Sequence, residues 1–156
     1  MALGISAGSA AAQRIDPKTF VAVKGAVSAE SVATGGSAEV TVAVEIKGGI
    51  HIQAHKPTED FAIPTVLTLE KAEGLTFGEV KYPEPVLRTY PAISETPLAV
   101  YDGKIELKFP VAVAKDAAAG AREIKGTLKF QGCDDKVCYS PAKVEIKISI
   151  TVVPAK

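Results

Sequence analysis

Hydrophobic and polar residues alternate along most of this chain with the period of β-strands. Over residues 38–47, Val40, Val42, Val44 and Ile46 fall on one face, while Glu39, Thr41, Ala43, Glu45 and Lys47 fall on the other. A period of two carried by β-branched residues predicts a half-buried strand. Similar patterns predict strands over residues 19–27, 50–55, 65–70 and 75–82. Residues 98–101 and 105–109 read as a hairpin around Asp102-Gly103. In a final pair, residues 127–133 carry Leu128 and Phe130 on one face. There Val144, Ile146, Ile148 and Ile150 alternate with Lys143, Glu145, Lys147 and Ser149. No segment shows an apolar helical period long enough for a packed helix.

Short strands separated by Gly/Pro turns predict an all-β fold of two packed antiparallel sheets, an immunoglobulin-like β-sandwich. With 5 Phe, 4 Tyr and no Trp, its core must be mainly Val, Ile, Leu and Ala. One passage breaks the pattern. From Tyr82 through Pro83, Pro85 and Pro91 to Pro97 the chain is too irregular for a core strand, and Arg88-Thr89-Tyr90-Pro91 reads as exposed. Long loops in compact domains are often functional.

The 156 residues suffice for one domain with a core that needs no staple. Lys+Arg and Asp+Glu are equal at 18 each, so no net field points to nucleic acid or an anionic membrane. No stretch approaches the roughly 20 apolar residues of a membrane helix, so direct membrane insertion is not expected. Residues 2–13 (ALGISAGSAAAQ) are small, apolar and uncharged, with Ala10-Ala11-Ala12 resembling an A-x-A cleavage site, although a basic n-region is missing. We read residues 1–16 as a leader or signal-peptide remnant and residues 17–156 as the folded domain. Export is the reading adopted, against a flexible alanine-rich leader with no targeting role.

The two cysteines, Cys133 and Cys138, sit at the tip between the last two strands, in Gln131-Gly132-Cys133-Asp134-Asp135-Lys136-Val137-Cys138-Tyr139-Ser140-Pro141. Such a pair can hold a disulfide, give it up, or bind a soft metal. As a staple it is weak: a six-residue closed loop contributes about 2 kcal/mol, against about 4.7 for a hundred-residue one. As an exchangeable pair it has geometry behind it, because opposed residues of an antiparallel pair are separated by about what a disulfide prefers. Asp134 and Asp135 would raise a neighbouring thiol pKa, Lys136 only partly offsetting them, and no helix dipole lowers it. That describes a thiol reacting mainly inside a docked complex. A metal site would have to recruit His51 and His55, which lie far away in sequence, and no metal or other cofactor is expected. There is also no P-loop, no GxGxxG and no Ser-His-Asp arrangement.

Several stretches carry a family resemblance: His51-Ile52-Gln53-Ala54, Phe61-Ala62-Ile63-Pro64-Thr65, Val80-Lys81-Tyr82-Pro83, Leu98-Ala99-Val100-Tyr101-Asp102-Gly103 and, above all, the cysteine motif with its following Tyr-x-Pro. From about Gly48 to Val152 the chain resembles the N-terminal periplasmic domain of the thiol:disulfide interchange protein DsbD. The resemblance implies an immunoglobulin-like redox domain in the periplasm, a thiol:disulfide oxidoreductase acting as electron carrier. It would take electrons from a thioredoxin-like donor and pass them to disulfide isomerases or cytochrome c maturation thioredoxins. It further implies that Cys138 forms the mixed disulfide, that Cys133 resolves it, and that a cap loop shields the pair with an aromatic side chain, for which Tyr90 is the candidate. Glu59 and Asp60 would be nearby acids without an assigned role. The chain departs from the family pattern at Ser140, where a second proline is usual, and its cysteines are one residue closer than in some members. No thioredoxin-like or membrane segment follows Lys156, so the sequence reads as an excised domain or as a chain with a separate donor. The competing expectation is a binding or structural sandwich with an inert local disulfide.

Overall fold

The computed structural model describes Asp16 and residues 19–156, and no α-helix occurs among these described residues. In chain order the strands are β1 (Val21–Val27), β2 (Val32–Ala33), β3 (Ser37–Ile46), β4 (His51–Gln53), β5 (Val66–Leu69) and β6 (Leu75–Phe77), then β7 (Val86–Arg88), β8 (Leu98–Tyr101), β9 (Lys104–Val113), β10 (Gly120–Phe130), β11 (Gly132–Cys133) and β12 (Ala142–Val153). They form three sheets, ordered β1-β3-β9-β6, β2-β12-β10-β5 and β11-β4-β8-β7. Pairings are antiparallel except for the short parallel contact of β2 with β12.

The first two sheets make the sandwich. Val40, Val42, Val44 and Ile46 of β3 and Leu107, Phe109, Val111 and Val113 of β9 are buried in one cluster with Ile124, Leu128 and Phe130 of β10 and Ile146, Ile148, Ile150 and Val152 of β12. The alternation read over residues 38–47 is the inward face of β3. The immunoglobulin-like all-β architecture is as expected. The core is tight enough that a Cβ on Gly25 would stand 2.4 Å from Ile148 Cγ1.

The third sheet departs from the two-sheet expectation, and it carries the cysteines. Residues 98–101 and 105–109 are not a hairpin: β8 pairs with β4 and β7, while β9 pairs with β3 and β6. Gly103, at φ 66°, supplies the left-handed turn at which the chain changes sheet. All four residues of β8 are buried, as suits the inner position it holds between β4 and β7. The strand expected over residues 127–133 likewise divides. β10 begins as early as Gly120 and runs along β12, and after Gln131 the chain crosses to β11 beside β4. Residues 78–82 leave the strand pattern after Phe77 and stay tied to β9 by the Gly78 N–H bond to Pro110 O and a bridge from Lys81 to Lys108. The proline-rich passage contains one short, exposed edge strand, β7. The predicted leader lies outside the described residues apart from Asp16, as do Pro17 and Lys18 of the predicted domain.

Candidate thiol–disulfide site

Cys133 ends β11, and a bridge pairs it with Cys138 on the returning arm. The Tyr139 N–H donates to Gly132 O at 2.8 Å and the Asp134 N–H to Val137 O at 3.0 Å, on either side of the cysteine pair. The cysteines therefore occupy a non-hydrogen-bonded position, where antiparallel backbones come closest. Their Cα atoms are 4.0 Å apart and the sulfurs are joined as a disulfide. The two sulfurs are not equivalent, because Cys133 is fully buried while Cys138 is partly exposed.

Asp134 shapes the loop between them. Its Oδ1 accepts from the N–H groups of Lys136 and Val137, both at 2.8 Å, and its Oδ2 accepts from the Tyr139 hydroxyl at 2.8 Å. These backbone bonds, then the Tyr139 bond, hold the Asp134 carboxyl below its ordinary value, and the same bond raises the Tyr139 phenol. Sequence reasoning had assigned Asp134 only a charge effect on the thiols. An Asp that bonds backbone two and three residues on is the signature of an Asx turn, and that signal was available in Cys-Asp-Asp-Lys-Val. Beneath the hairpin, Phe20 packs on Phe130 and Tyr139, with ring centroids at 6.1 Å and 5.8 Å. Gly132 is needed there, since a Cβ would lie 2.6 Å from Phe20 Cε2.

The floor of the site is β4. His51 is the register partner of Cys133, so both side chains leave the same face of the sheet. Gln53, two residues on, shares that face, and its Nε2 lies 3.6 Å from Cys133 Sγ and 4.0 Å from Cys138 Sγ. Gln131 ties in a neighbouring loop: its Oε1 accepts from Ile63 N at 3.1 Å while its Nε2 donates to Tyr139 O at 3.3 Å. Gln53 and Gln131 were not singled out from the sequence.

Tyr90 lies in the loop between β7 and β8, its ring stacked on His51 with centroids 4.0 Å apart and planes 11° apart. It is thus one side chain away from Cys133. The loop is tethered at both ends: Arg88 pairs with Asp102 at 3.2 Å, Thr96 Oγ1 donates to Glu59, and Thr58 Oγ1 donates to Pro97 O at 3.1 Å. Burial lowers the His51 pKa, against the raising influence of Asp102 and Asp134. Burial, followed by the charge of Asp102, raises that of Tyr90. His55 is elsewhere: it stacks on Tyr82 at 3.6 Å and shares a hydrogen bond with Thr65 O. No group of three or more His, Cys, Asp or Glu side chains suited to a metal ion occurs among the described residues.

The sequence profile of the family described as "Thiol:disulfide interchange protein DsbD, N-terminal" matches residues 18–150. The chain belongs to this family. In the DsbD N-terminal family, a joined cysteine pair identifies a domain of thiol–disulfide interchange in the general sense. Among solved structures, the fold is similar to the DsbD N-terminal domain of Neisseria meningitidis in its reduced form, at 22% identity and a TM-score of 0.54, over 88% of this chain and 91% of that one. It is also similar to the N-terminal periplasmic domain of ScsB from Proteus mirabilis, at 10% identity and a TM-score of 0.57 over 88% of this chain, which spans 48% of that one. No match is found among curated proteins. The DsbD N-terminal domain is periplasmic, and no helix among the described residues is long and apolar enough to cross a membrane.

Proposed function

We propose that this protein is a periplasmic electron carrier that works by thiol–disulfide exchange. It is reduced by a thioredoxin-like donor and in turn reduces disulfide-containing periplasmic partners, such as disulfide isomerases or cytochrome c maturation thioredoxins. Cys138 is the contact sulfur, Cys133 resolves the mixed disulfide, and Tyr90 is the lid that a docking partner displaces. Residues 17–156 act as the redox domain, after an export leader over residues 1–16.

The observation that carries this reading is the inequality of the sulfurs. A partner's thiolate must approach along the S–S axis, and Cys138 is partly exposed while Cys133 is enclosed. The pair also stands at a tip with exposed Val137 beside it, an apolar side chain that a docked surface would cover.

The test is a trap. With Cys133→Ser and a thioredoxin-fold partner that lacks its resolving cysteine and carries thionitrobenzoate in disulfide linkage on its remaining one, the Cys138 thiolate should expel thionitrobenzoate and a mixed disulfide through Cys138 should accumulate. The reciprocal Cys138→Ser protein should trap little. Wild type that accepts no electrons from any thioredoxin-fold dithiol, together with an empty trap, would reject the carrier role.

A further inference from the structure

We propose that Gln53 is a catalytic residue of the exchange, its carboxamide N–H supporting the Cys133 sulfur as a thiolate while a partner is joined to Cys138. The proposal rests on the carrier reading above and adds to it the group that makes a buried leaving sulfur workable.

Alternation along β4 sends Ile52 into the main core and Gln53 to the face of the disulfide. Gln53 is fully buried. Its backbone is pinned from both sides, with its N–H donating to Gln131 O at 3.1 Å and its carbonyl accepting from Thr65 Oγ1 at 2.5 Å. The side chain is therefore held where it is, with Nε2 reaching both sulfurs and the shorter distance going to Cys133. The opposite amide orientation would set Oε1 against sulfur lone pairs and turn the N–H group away from them. As it stands, Oε1 has no hydrogen-bond partner. An unsatisfied buried oxygen is a standing cost that methionine or leucine would avoid at this position. What those side chains would lack is the donor.

The reaction needs that donor. A thiolate of the reduced partner attacks Cys138 Sγ, the Cys133–Cys138 bond breaks, and its electron pair leaves on Cys133 Sγ. The partner's second thiol, once deprotonated, then attacks the partner's own bridged sulfur and releases Cys138. The partner leaves as a disulfide, two electrons have moved to the cysteine pair, and the two protons of its dithiol end on Cys133 and Cys138. Throughout the mixed-disulfide stage the charge sits on the enclosed sulfur, where desolvation opposes it. A fixed N–H group supplies what water cannot. In the opposite direction Cys133 must again become a thiolate to resolve the acceptor, so the same contact serves both half-reactions.

The experiment compares wild type, Gln53→Met and Gln53→Glu for reduction by dithiothreitol, and titrates Cys133 in a Cys138→Ser background. Losing a donor to a charged sulfur should slow reduction about tenfold in Gln53→Met and raise the Cys133 midpoint by about one pH unit, with Gln53→Glu affected more. A merely structural glutamine would lower thermal stability without moving that midpoint. In the Cys138→Ser protein with Gln53 intact, the Gln53 side-chain amide resonances should follow the Cys133 titration, a readout that survives if both variants fail to fold. Rates within twofold of wild type, or amide resonances that ignore the titration, would overturn the proposal. If wild type reacts with dithiothreitol yet never exchanges with a thioredoxin-fold dithiol, the carrier reading fails instead.

Discussion

Tyr90→Ala removes the ring that covers His51 while leaving the loop's tethers in place. Those tethers are the Arg88–Asp102 pair, the Thr96–Glu59 contact and the Thr58 bond to Pro97, none of which uses the phenol. What is lost is a parallel stack at 4.0 Å. Stacked aromatic pairs contribute about 0.5–1.5 kcal/mol beyond the area they bury. If small thiols reach Cys138 only after the ring lifts, the same energy biases the open form, and at about 1.4 kcal/mol per factor of ten the reduction rate should rise about twofold to tenfold. The assay is reduction by glutathione under conditions where opening is fast, with Tyr90→Phe alongside to keep the stack. Global stability should change little, since Tyr90 is only half-buried and outside the main core. An unchanged rate in Tyr90→Ala, or an equal acceleration in Tyr90→Phe, would refute the lid. A large drop in melting temperature with no gain in rate would make Tyr90 a packing residue.

Two further outcomes follow from the same site. Asp134→Ala strips acceptors from the Lys136 and Val137 N–H groups and from the Tyr139 hydroxyl, and should cost about 1 kcal/mol in denaturant unfolding because water can partly replace it. Asp134→Asn, which keeps Oδ1, should recover most of the loss, and the raised Tyr139 pKa should fall back in Asp134→Ala when followed by absorbance. His51 has a folded-state pKa lowered by burial, so at pH above its ordinary 6.5 both folded and unfolded forms are neutral and stability is full. As pH falls below that value the unfolded chain takes the proton first, and stability declines until the folded imidazole also protonates. His51→Phe should flatten this part of the stability–pH curve, and an unaltered slope would assign it to another group.

The sandwich was legible because its strands are long and their environments simple. Ser37–Ile46 meets core on one face only, and β-branched residues at every second position report that directly. Gly120–Phe130 was half missed because its first turn of pairing carries Gly120, Ala121 and Arg122, which are not strand formers; what holds them is the ladder to Val152, Thr151 and Ile150. Cys133 and Cys138 stood out by spacing and chemistry, and Tyr90 by its place in a long irregular loop. Gln53 did not, because Ile50, Ile52 and Ala54 mark one face of β4 as inward and so make His51, Gln53 and His55 read as outward. That face is covered by the cysteine hairpin, by Tyr90 over His51 and by Tyr82 over His55, segments brought there from elsewhere in the chain. Local periodicity cannot report cover of that kind.

The two sheet changes explain why the site is where it is. After β8 the chain turns at Gly103 into the sandwich, and after β10 it leaves the sandwich at Gln131 for β11, so the third sheet is assembled from excursions: β4 between strands of the two sandwich sheets, β7 and β8 between two strands of the first, and β11 between two strands of the second. Its floor, β4, is bonded on one side to β11 and on the other to β8, and the sulfurs and Gln53 inherit the rigidity of that ladder. The cover is held over the floor differently, by one ring stack and by tethers at the loop's ends. With Tyr90 as the proposed lid, uncovering Cys138 breaks a stack rather than a sheet. On that proposal a partner's docking surface would need to offset only that smaller cost, leaving intact the ladder of β4 with β11 and β8 beneath the sulfurs.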